Sequence, residues 1–96
     1  IQQLLSVVRK DSNNMKAHMM LGVGGFVSGQ YDKAIERLQK VIKAQPDNIE
    51  AVAFLADAYS AKGDKAEAFK WYTISKRLVN DSHYSQEVDE RIKGLQ

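Results

Sequence analysis

The chain has 96 residues, 44% apolar and 27% charged, a globular balance that argues against disorder. The absence of cysteine excludes disulfides and thiolate metal sites, and no apolar run approaches the roughly 18–20 residues of a membrane-spanning helix. The net charge is +2 with both signs interspersed, so no basic block predicts nucleic-acid binding. Because an amphipathic pattern is already under way by Leu4, we expect a piece of a longer protein, whose compartment stays open.

The sequence repeats itself at an interval of 34 residues without a gap. Between the two complete repeats, the identical pairs are Ala17 with Ala51, Leu21 with Leu55, Gly29 with Gly63, Ala34 with Ala68, and Asp47 with Asp81. The same offset places Leu4 at the position of Leu38. We therefore predict the second helix of an earlier repeat in residues 1–14, complete repeats in 15–48 and 49–82, and a C-terminal capping helix in 83–96.

The first complete repeat is predicted to form two helices. In the first helix, one buried stripe is expected from the spacing of Ala17, Leu21, Gly24 and Ser28, and Gly29 is a natural residue to follow its end. The second helix carries its apolar stripe at Ala34, Ile35, Leu38, Val41 and Ile42. Pro46 then stops that helix.

The second repeat follows the same plan, with an apolar stripe at Ala51, Leu55, Ala58 and Tyr59 that ends at Gly63. Asp64 and Glu67 have the spacing of a capping box that opens the next helix. That helix is predicted to bury Ala68, Phe69 and Tyr72, and Trp71 in part. After a break at Asn80, Asp81 and Ser82, the last helix has an apolar stripe at Tyr84, Val88, Ile92 and Leu95 and a polar outer side.

These residues carry a family resemblance. The segments Leu21-Gly22 … Phe26 … Gly29 … Ala34 … Pro46 and Leu55-Ala56 … Tyr59 … Gly63 … Ala68 … Tyr72 resemble tetratricopeptide repeats. The resemblance implies an all-α fold, a right-handed superhelix of antiparallel helix hairpins whose concave wall is lined by the first helix of each repeat. It also implies a non-enzymatic function in protein binding that needs no cofactor. Small residues at Gly22 and Ala56 are expected to let the second helix approach closely, where Ala34 and Ala68 face them.

Two positions depart from the family pattern. The family usually has an aromatic residue where Gly25 stands, and the bulky residue here is displaced to Phe26. Because each helical glycine costs roughly 0.5–1 kcal/mol relative to alanine, Gly24 and Gly25 indicate a softened or closely packed helix, with a hinge as the alternative. Asn80 stands where the first repeat has Pro46, which leaves the end of the fourth helix open.

Helical geometry and the resemblance together select a concave, partner-binding face. Its predicted residues are Lys16, Met19, Val23, Phe26, Glu50, Ala53, Asp57, Ser60, Glu87 and Arg91, with Tyr84 beside them. The face is apolar at one end and mixed or acidic further along. Such a surface suits a peptide or helix with an apolar anchor and a basic or polar portion.

Other interpretations of this face stay open. Met19, Val23 and Phe26 could instead be covered by an upstream repeat or by a second copy of the chain. Some family members clamp acidic chaperone tails with Lys and Asn residues, but the matching positions here are Met19, Val23, Ala53 and Asp57. That ligand is therefore not expected. A spacer or homo-oligomerisation segment in a longer, even envelope-associated, protein is the alternative function, and an accessory domain beside an enzyme is a weaker third.

The sequence offers little for catalysis or metal binding. His18 and His83 are far apart in the chain and lack ligand partners, so they are interpreted as surface or interface residues. Asp81, Ser82 and His83 form a helix cap rather than a catalytic triad, and the glycines of the first helix follow no strand and form no phosphate loop. A basic series on the second helix of the first complete repeat is interpreted as a solvated face, with an acidic partner as the alternative; its residues are Lys33, Arg37, Lys40 and Lys43.

Overall fold

The computed structural model describes residues 14–95, which form five α-helices. They are α1 (Met15–Val27), α2 (Tyr31–Ala44), α3 (Ile49–Lys62), α4 (Lys65–Leu78) and α5 (Ser82–Lys93). No strand occurs within 14–95, so the all-α class is confirmed. Short turns join α1 to α2 and α3 to α4 as helix hairpins, and contacts of α3 with α2 and of α5 with α4 connect successive units. The helix predicted in residues 1–14 lies outside the described residues, apart from Asn14.

Two asparagines at equivalent positions start the first helices of the two units. The Oδ1 atom of Asn14 accepts a hydrogen bond from the backbone N–H of Ala17 at 3.0 Å, and Asn48 accepts one from Ala51 at 3.1 Å. Each side chain thereby satisfies one backbone donor that has no partner inside the helix. The same local chemistry therefore sets the start of α1 and of α3.

Glycine ends both of these helices in the left-handed conformation, as predicted. Gly29 has φ 82° and Gly63 has φ 97°, values that side chains with a Cβ rarely adopt. The N–H of Gln30 then donates to the carbonyl oxygen of Gly25 at 2.8 Å, and that of Asp64 donates to Tyr59 at 2.9 Å. This pairing across five residues satisfies carbonyl groups at the helix end and turns the chain into the next helix.

The start of α4 carries half of the predicted capping box. Asp64 accepts a hydrogen bond from the N–H of Glu67 at 3.2 Å. The reciprocal bond is absent, because the N–H of Asp64 is already bound to Tyr59 and the carboxylate of Glu67 accepts from the indole of Trp71 at 3.2 Å. Asp81 caps α5 by accepting from two backbone N–H groups. The end of α4, which the sequence left open, falls at Leu78.

Two glycines let α1 approach α2 closely. A Cβ built on Gly22 would lie 2.9 Å from Cγ of Leu38, a side chain that is 0% exposed. A Cβ on Gly25 would lie 3.4 Å from the backbone of Ala34. The expectation of a close approach is therefore confirmed, but its partner assignment is corrected: Gly25 faces Ala34, and Gly22 faces Leu38. The departure at Gly25 is a packing feature.

The buried side of α1 differs from the predicted stripe. Gly24 and Ser28 are exposed and Leu21 is half-buried, whereas Ala17, His18 and Gly22 are buried. His18 and Gly22 lie one helical turn apart and therefore on the same side of α1. This side faces α2, because a Cβ built on Gly22 would lie against Leu38 of α2. The interpretation of His18 as a surface or interface residue is wrong: its side chain is 0% exposed, and Nη1 of Arg37 lies 3.3 Å from its Nδ1 atom.

The hydrophobic core lies mainly between units. A first cluster joins α2 to α3 and consists of Ile35, Leu38, Val41, Ala51, Leu55 and Ala58. A second cluster joins α3, α4 and α5 and consists of Ala56, Ala68, Tyr72, Val88 and Leu95. Because both clusters draw on more than one hairpin, each unit depends on its neighbour for burial of apolar surface.

Phe69, predicted to be buried, is 54% exposed, whereas its counterpart Ile35 is 8% exposed. The junction between α4 and α5 explains the difference. Nζ of Lys76 lies 2.6 Å from the carboxylate of Asp89, and these residues occupy the positions of the apolar Ile42 and Leu55 in the preceding junction. Without that apolar pair, α5 makes a less extensive contact with α4 and leaves the Phe69 ring in solvent.

Candidate protein-interaction face

The ten residues of the predicted face lie on α1, α3 and α5, and we call them the groove face. Several occupy equivalent positions 34 residues apart, as in the series Val23, Asp57 and Arg91. Contacts on this side connect neighbouring first helices. The rings of Phe26 and Phe54 meet edge to face at 5.8 Å, and Nη1 of Arg91 lies 3.4 Å from Oδ2 of Asp57. These two contacts link α1 to α3 and α3 to α5 through Phe26, Asp57 and Arg91 of the predicted set.

The α1 end of the groove face is apolar. Met19 and Phe26 are half-buried and pack against the first core cluster, and the Phe26 ring also contacts Tyr31 at 5.9 Å. Val23 is half-buried too, but it does not belong to that packing. Two of the three apolar side chains thus help to hold the fold, and Val23 is the one with the most freedom to contact another molecule.

Asp57 anchors the middle of the groove face. Its carboxylate accepts a short hydrogen bond from the hydroxyl of Tyr72 and faces the guanidinium of Arg91. Burial, reinforced by the hydrogen bond and negative charge of Asp57, raises the pKa of the Tyr72 phenol above its ordinary value near 10. The phenol therefore stays protonated as a donor, and the charge of Asp57 is largely compensated within the protein.

The remaining charges of the face lie in solvent. Lys16, Glu50 and Glu87 are exposed, as is Arg91. Oε1 of Glu87 lies 3.3 Å from Nε2 of His83, one turn earlier on α5. Ala53 and Ser60 on α3 lie between these charges, and both are small and half-buried. The face offers exposed carboxylates on α3 and α5 beside the apolar end on α1.

Two further aromatic residues lie near the face, and the role of the first was not predicted from the sequence. Phe54 meets the Phe26 ring and so completes the apolar end. Its counterpart in the first unit is Met20, and a large apolar residue at both positions was the available signal. Tyr84, expected both on the apolar stripe of the last helix and beside the face, is half-buried against the second core cluster, as the stripe predicted, and helps to seat α5 on its neighbours.

Within the described part of the chain, no cluster of three or more His, Cys, Asp or Glu side chains could hold a metal ion. Nor does any helix between residues 14 and 95 have the length and apolar character needed to cross a membrane. The groove face offers apolar surface at α1 and exposed acids and bases for charge pairing.

Comparison with known proteins gives a family and two relatives. The model of the tetratricopeptide repeat family matches residues 27–86. Proteins from Escherichia coli K12 and O157:H7, described as cellulose synthase operon protein C, are each 41% identical over 64 residues, or 67% of this chain. The matched region is 5% of the length of these relatives, so the chain corresponds to a small part of each.

Proposed function

The chain belongs to the tetratricopeptide repeat family, and we propose that it is a non-enzymatic module that holds a peptide or partner helix on the groove face. The family membership supports a role in protein-protein interaction. The observation that carries the finer assignment is Val23, a half-buried apolar side chain on this face that, among the described residues, does not pack against either core cluster. It lies beside Met19 and Phe26, so a bound side chain would extend an apolar surface that already exists.

Charge favours a ligand whose apolar anchor is followed by a basic residue. Glu50 is exposed on α3, whereas Asp57 is already paired with Arg91 and Tyr72. A basic ligand side chain would therefore meet Glu50 more readily than Asp57. An exposed pair of this kind is worth about 0.2–1 kcal/mol, so it would orient the ligand while apolar contact at Val23 supplies most of the affinity.

The name of the two relatives supports a choice of partner to test. They are described as products of a cellulose synthase operon. We propose that this chain uses its repeats to contact another protein of such a system. Peptides that tile the other proteins of a cellulose synthase operon are the first candidates, beside an unbiased displayed peptide library.

Substitution of Val23 by aspartate tests the groove assignment. The new charge would remove the apolar contact; because Asp57 at the equivalent position depends on Tyr72 and Arg91, which have no counterparts beside Val23, the urea midpoint of the variant is measured first to establish that it folds. Peptides selected on the unchanged chain should bind Val23→Asp at least tenfold more weakly in calorimetry. Val27→Asp is the matched control, because Val27 lies on the same helix, is 77% exposed, and is not part of the face. Equal affinity of Val23→Asp and Val27→Asp for every selected peptide would refute binding at the groove face.

A spacer or self-association segment is the second candidate, and exposed apolar residues on α1 favour it. Val27 is 77% exposed and Met20 is 50% exposed. Analytical sedimentation across a hundredfold range of concentration decides between the candidates. A dimer that dissociates on substitution of Val27 by aspartate supports self-association, and a monomer at all concentrations refutes it.

A further inference from the structure

The outward side of α4 carries an excess of unpaired positive charge. The helix contains four basic residues and one acidic residue. Lys65, Lys70 and Arg77 are exposed, and none of the three has an ion-pair partner among residues 14–95. Helical geometry places them within an arc of about 140° around the helix axis. We call this side the α4 face; its residues are Lys65, Ala66, Phe69, Lys70, Thr73 and Arg77.

The carboxylates nearest to this face are engaged elsewhere. Lys76 lies in the same arc, but its charge is compensated by Asp89, whose Oδ1 atom lies 2.6 Å from its Nζ atom. Glu67, the acidic residue of α4, lies outside the arc and accepts a hydrogen bond from the indole of Trp71. The three exposed cations of the α4 face are therefore left without a direct carboxylate contact.

The preceding repeat shows that stacking does not require this charge. Asp32 and Glu36 of α2 stand at the positions of Ala66 and Lys70, and both carboxylates are exposed. Asp32 lies 2.6 Å from Nζ of Lys62, so α2 pairs one of its acids with a neighbouring helix. Because the repeat tolerates carboxylates at these two positions, their absence from α4 is a feature of this surface and not of the fold.

An aromatic ring protrudes from the same face. Phe69 is 54% exposed, one turn after Lys65. Its counterpart Ile35 is covered by α3, and α5, the equivalent of α3, is in place beside Phe69. A partner for this face has to carry negative charge and also yield around a protruding ring. A bilayer of anionic phospholipid does both, whereas an acidic peptide supplies the charge but would need a pocket for the ring.

We propose that the α4 face binds the surface of an anionic phospholipid bilayer. Lys65, Lys70 and Arg77 contact lipid phosphates, and the Phe69 ring enters the headgroup layer. Lys65 and Arg77 are separated by about 18 Å along the axis, so α4 lies along the surface. Each basic residue near an anionic leaflet strengthens binding about fivefold, which gives about a hundredfold for three. The groove face lies on α1, α3 and α5, so the proposal stands or falls independently of peptide binding there.

Vesicle sedimentation tests the charge requirement. The full chain should bind vesicles of phosphatidylglycerol and phosphatidylcholine at least tenfold more tightly than vesicles of phosphatidylcholine alone, and high salt should weaken this binding by screening the charges. Lys70→Gln with Arg77→Gln should weaken binding to the anionic vesicles about twenty-five-fold. The matched control is Lys33→Gln with Lys40→Gln, because both residues are exposed on α2 and lie outside the α4 face. It should weaken binding less than threefold.

A fluorescent label tests the position of the ring. Because the chain has no cysteine, Phe69→Cys can carry a single polarity-sensitive fluorophore. Its emission should rise and move to shorter wavelength on the anionic vesicles, since the fluorophore leaves water. The same label at Val27→Cys, a position that is 77% exposed on α1, should not change. Circular dichroism establishes that each variant is folded; if the Lys70 and Arg77 pair is not, Lys65→Gln replaces it and should weaken binding about fivefold.

Four results would overturn the proposal. The first is equal binding, or no binding, to the two kinds of vesicle. The second is an equal loss of binding with the Lys33 and Lys40 pair. The third is a label at position 69 that stays in water while the chain is bound to vesicles. The fourth is tight binding of a poly-glutamate peptide that is lost in the Lys70 and Arg77 pair while anionic vesicles do not bind, which would assign the face to an acidic polypeptide.

Discussion

Substitution of Gly22 by alanine tests the close contact between α1 and α2. Alanine gains up to about 1 kcal/mol over glycine in a helix from propensity alone. The new methyl group, however, would lie 2.9 Å from Cγ and 3.0 Å from Cδ2 of Leu38. Leu38 is 0% exposed, so its side chain cannot relieve the contact by moving into solvent. Overpacking of this kind costs about 1–3 kcal/mol, which predicts a net loss of up to about 2 kcal/mol in unfolding free energy.

A matched substitution two residues along the helix isolates the packing effect. Gly24→Ala has the same propensity gain, but its methyl group meets no atom within 4 Å. It should therefore raise the unfolding free energy by about 0.5–1 kcal/mol. Because propensity cancels between the two variants, their difference of about 1–3 kcal/mol measures the contact with Leu38. Urea unfolding followed by circular dichroism and by the fluorescence of Trp71 provides both values.

A double variant tests whether Leu38 is the side chain that Gly22→Ala overpacks. Leu38→Ala alone should cost about 2–5 kcal/mol through the cavity it opens. In the Gly22→Ala chain it should cost less, because the substitution relieves the overlap and the new methyl group occupies part of the cavity. Additive effects of the two substitutions, or a Gly22→Ala chain as stable as Gly24→Ala, would refute the packing argument.

Three further substitutions test other parts of the fold. The pKa of the Tyr72 phenol is raised, so the folded chain keeps this proton above pH 10 while the unfolded chain loses it, and stability should fall as pH rises above 10. Tyr72→Phe should therefore show a shallower fall in the urea midpoint between pH 9 and pH 11. An identical fall in both chains would count against this. Arg91→Gln should change the unfolding free energy by less than about 1 kcal/mol, because the Arg91 side chain is 54% exposed and Asp57 keeps its hydrogen bond from Tyr72, and a larger loss in urea unfolding would contradict this. Asn48→Ala should cost about 0.5–2 kcal/mol by removing the cap that accepts from Ala51, and thermal unfolding at an unchanged temperature would show that the cap contributes nothing.

Most of the fold could be predicted from the 34-residue repeat interval. Asn48, Gly63 and Asp81 act at helix ends as their residue types predict, since caps and left-handed turns depend on the local chain. The core between units was accessible for the same reason: Leu38 and Leu55 recur in a pattern that only stacked hairpins can bury. The prediction therefore succeeded where local chemistry or periodicity decides the structure.

The errors arose where contact between particular neighbours decides burial. His18 is polar, yet it is buried because it lies on the same side of α1 as Gly22, and its fully buried counterpart Val52 was the available signal. Phe69 has a buried counterpart in Ile35, but its exposure depends on the apolar packing that the ion pair of Asp89 replaces. Helix periodicity does not show that an apolar pair between α2 and α3 is replaced by an ion pair between α4 and α5.

The same limit applies to the groove face. Helical spacing selected Val23, Met19 and Phe26 together, because their side chains point to the same side of α1. The structure separates them, since Met19 and Phe26 also pack against the core while Val23 does not. A charge substitution at Phe26 would therefore disturb the fold as well as any binding, and Val23 is the better site for a test of function.

The most direct test of the account is a map of where a selected peptide touches the chain. Backbone amide NMR shifts of the full chain should be recorded during titration with a peptide chosen from the displayed library. The account predicts that the largest changes fall on Val23, Ala53 and Ser60, and that Lys40 on α2 is little affected. Changes concentrated around Lys40 and absent from Val23 would contradict it.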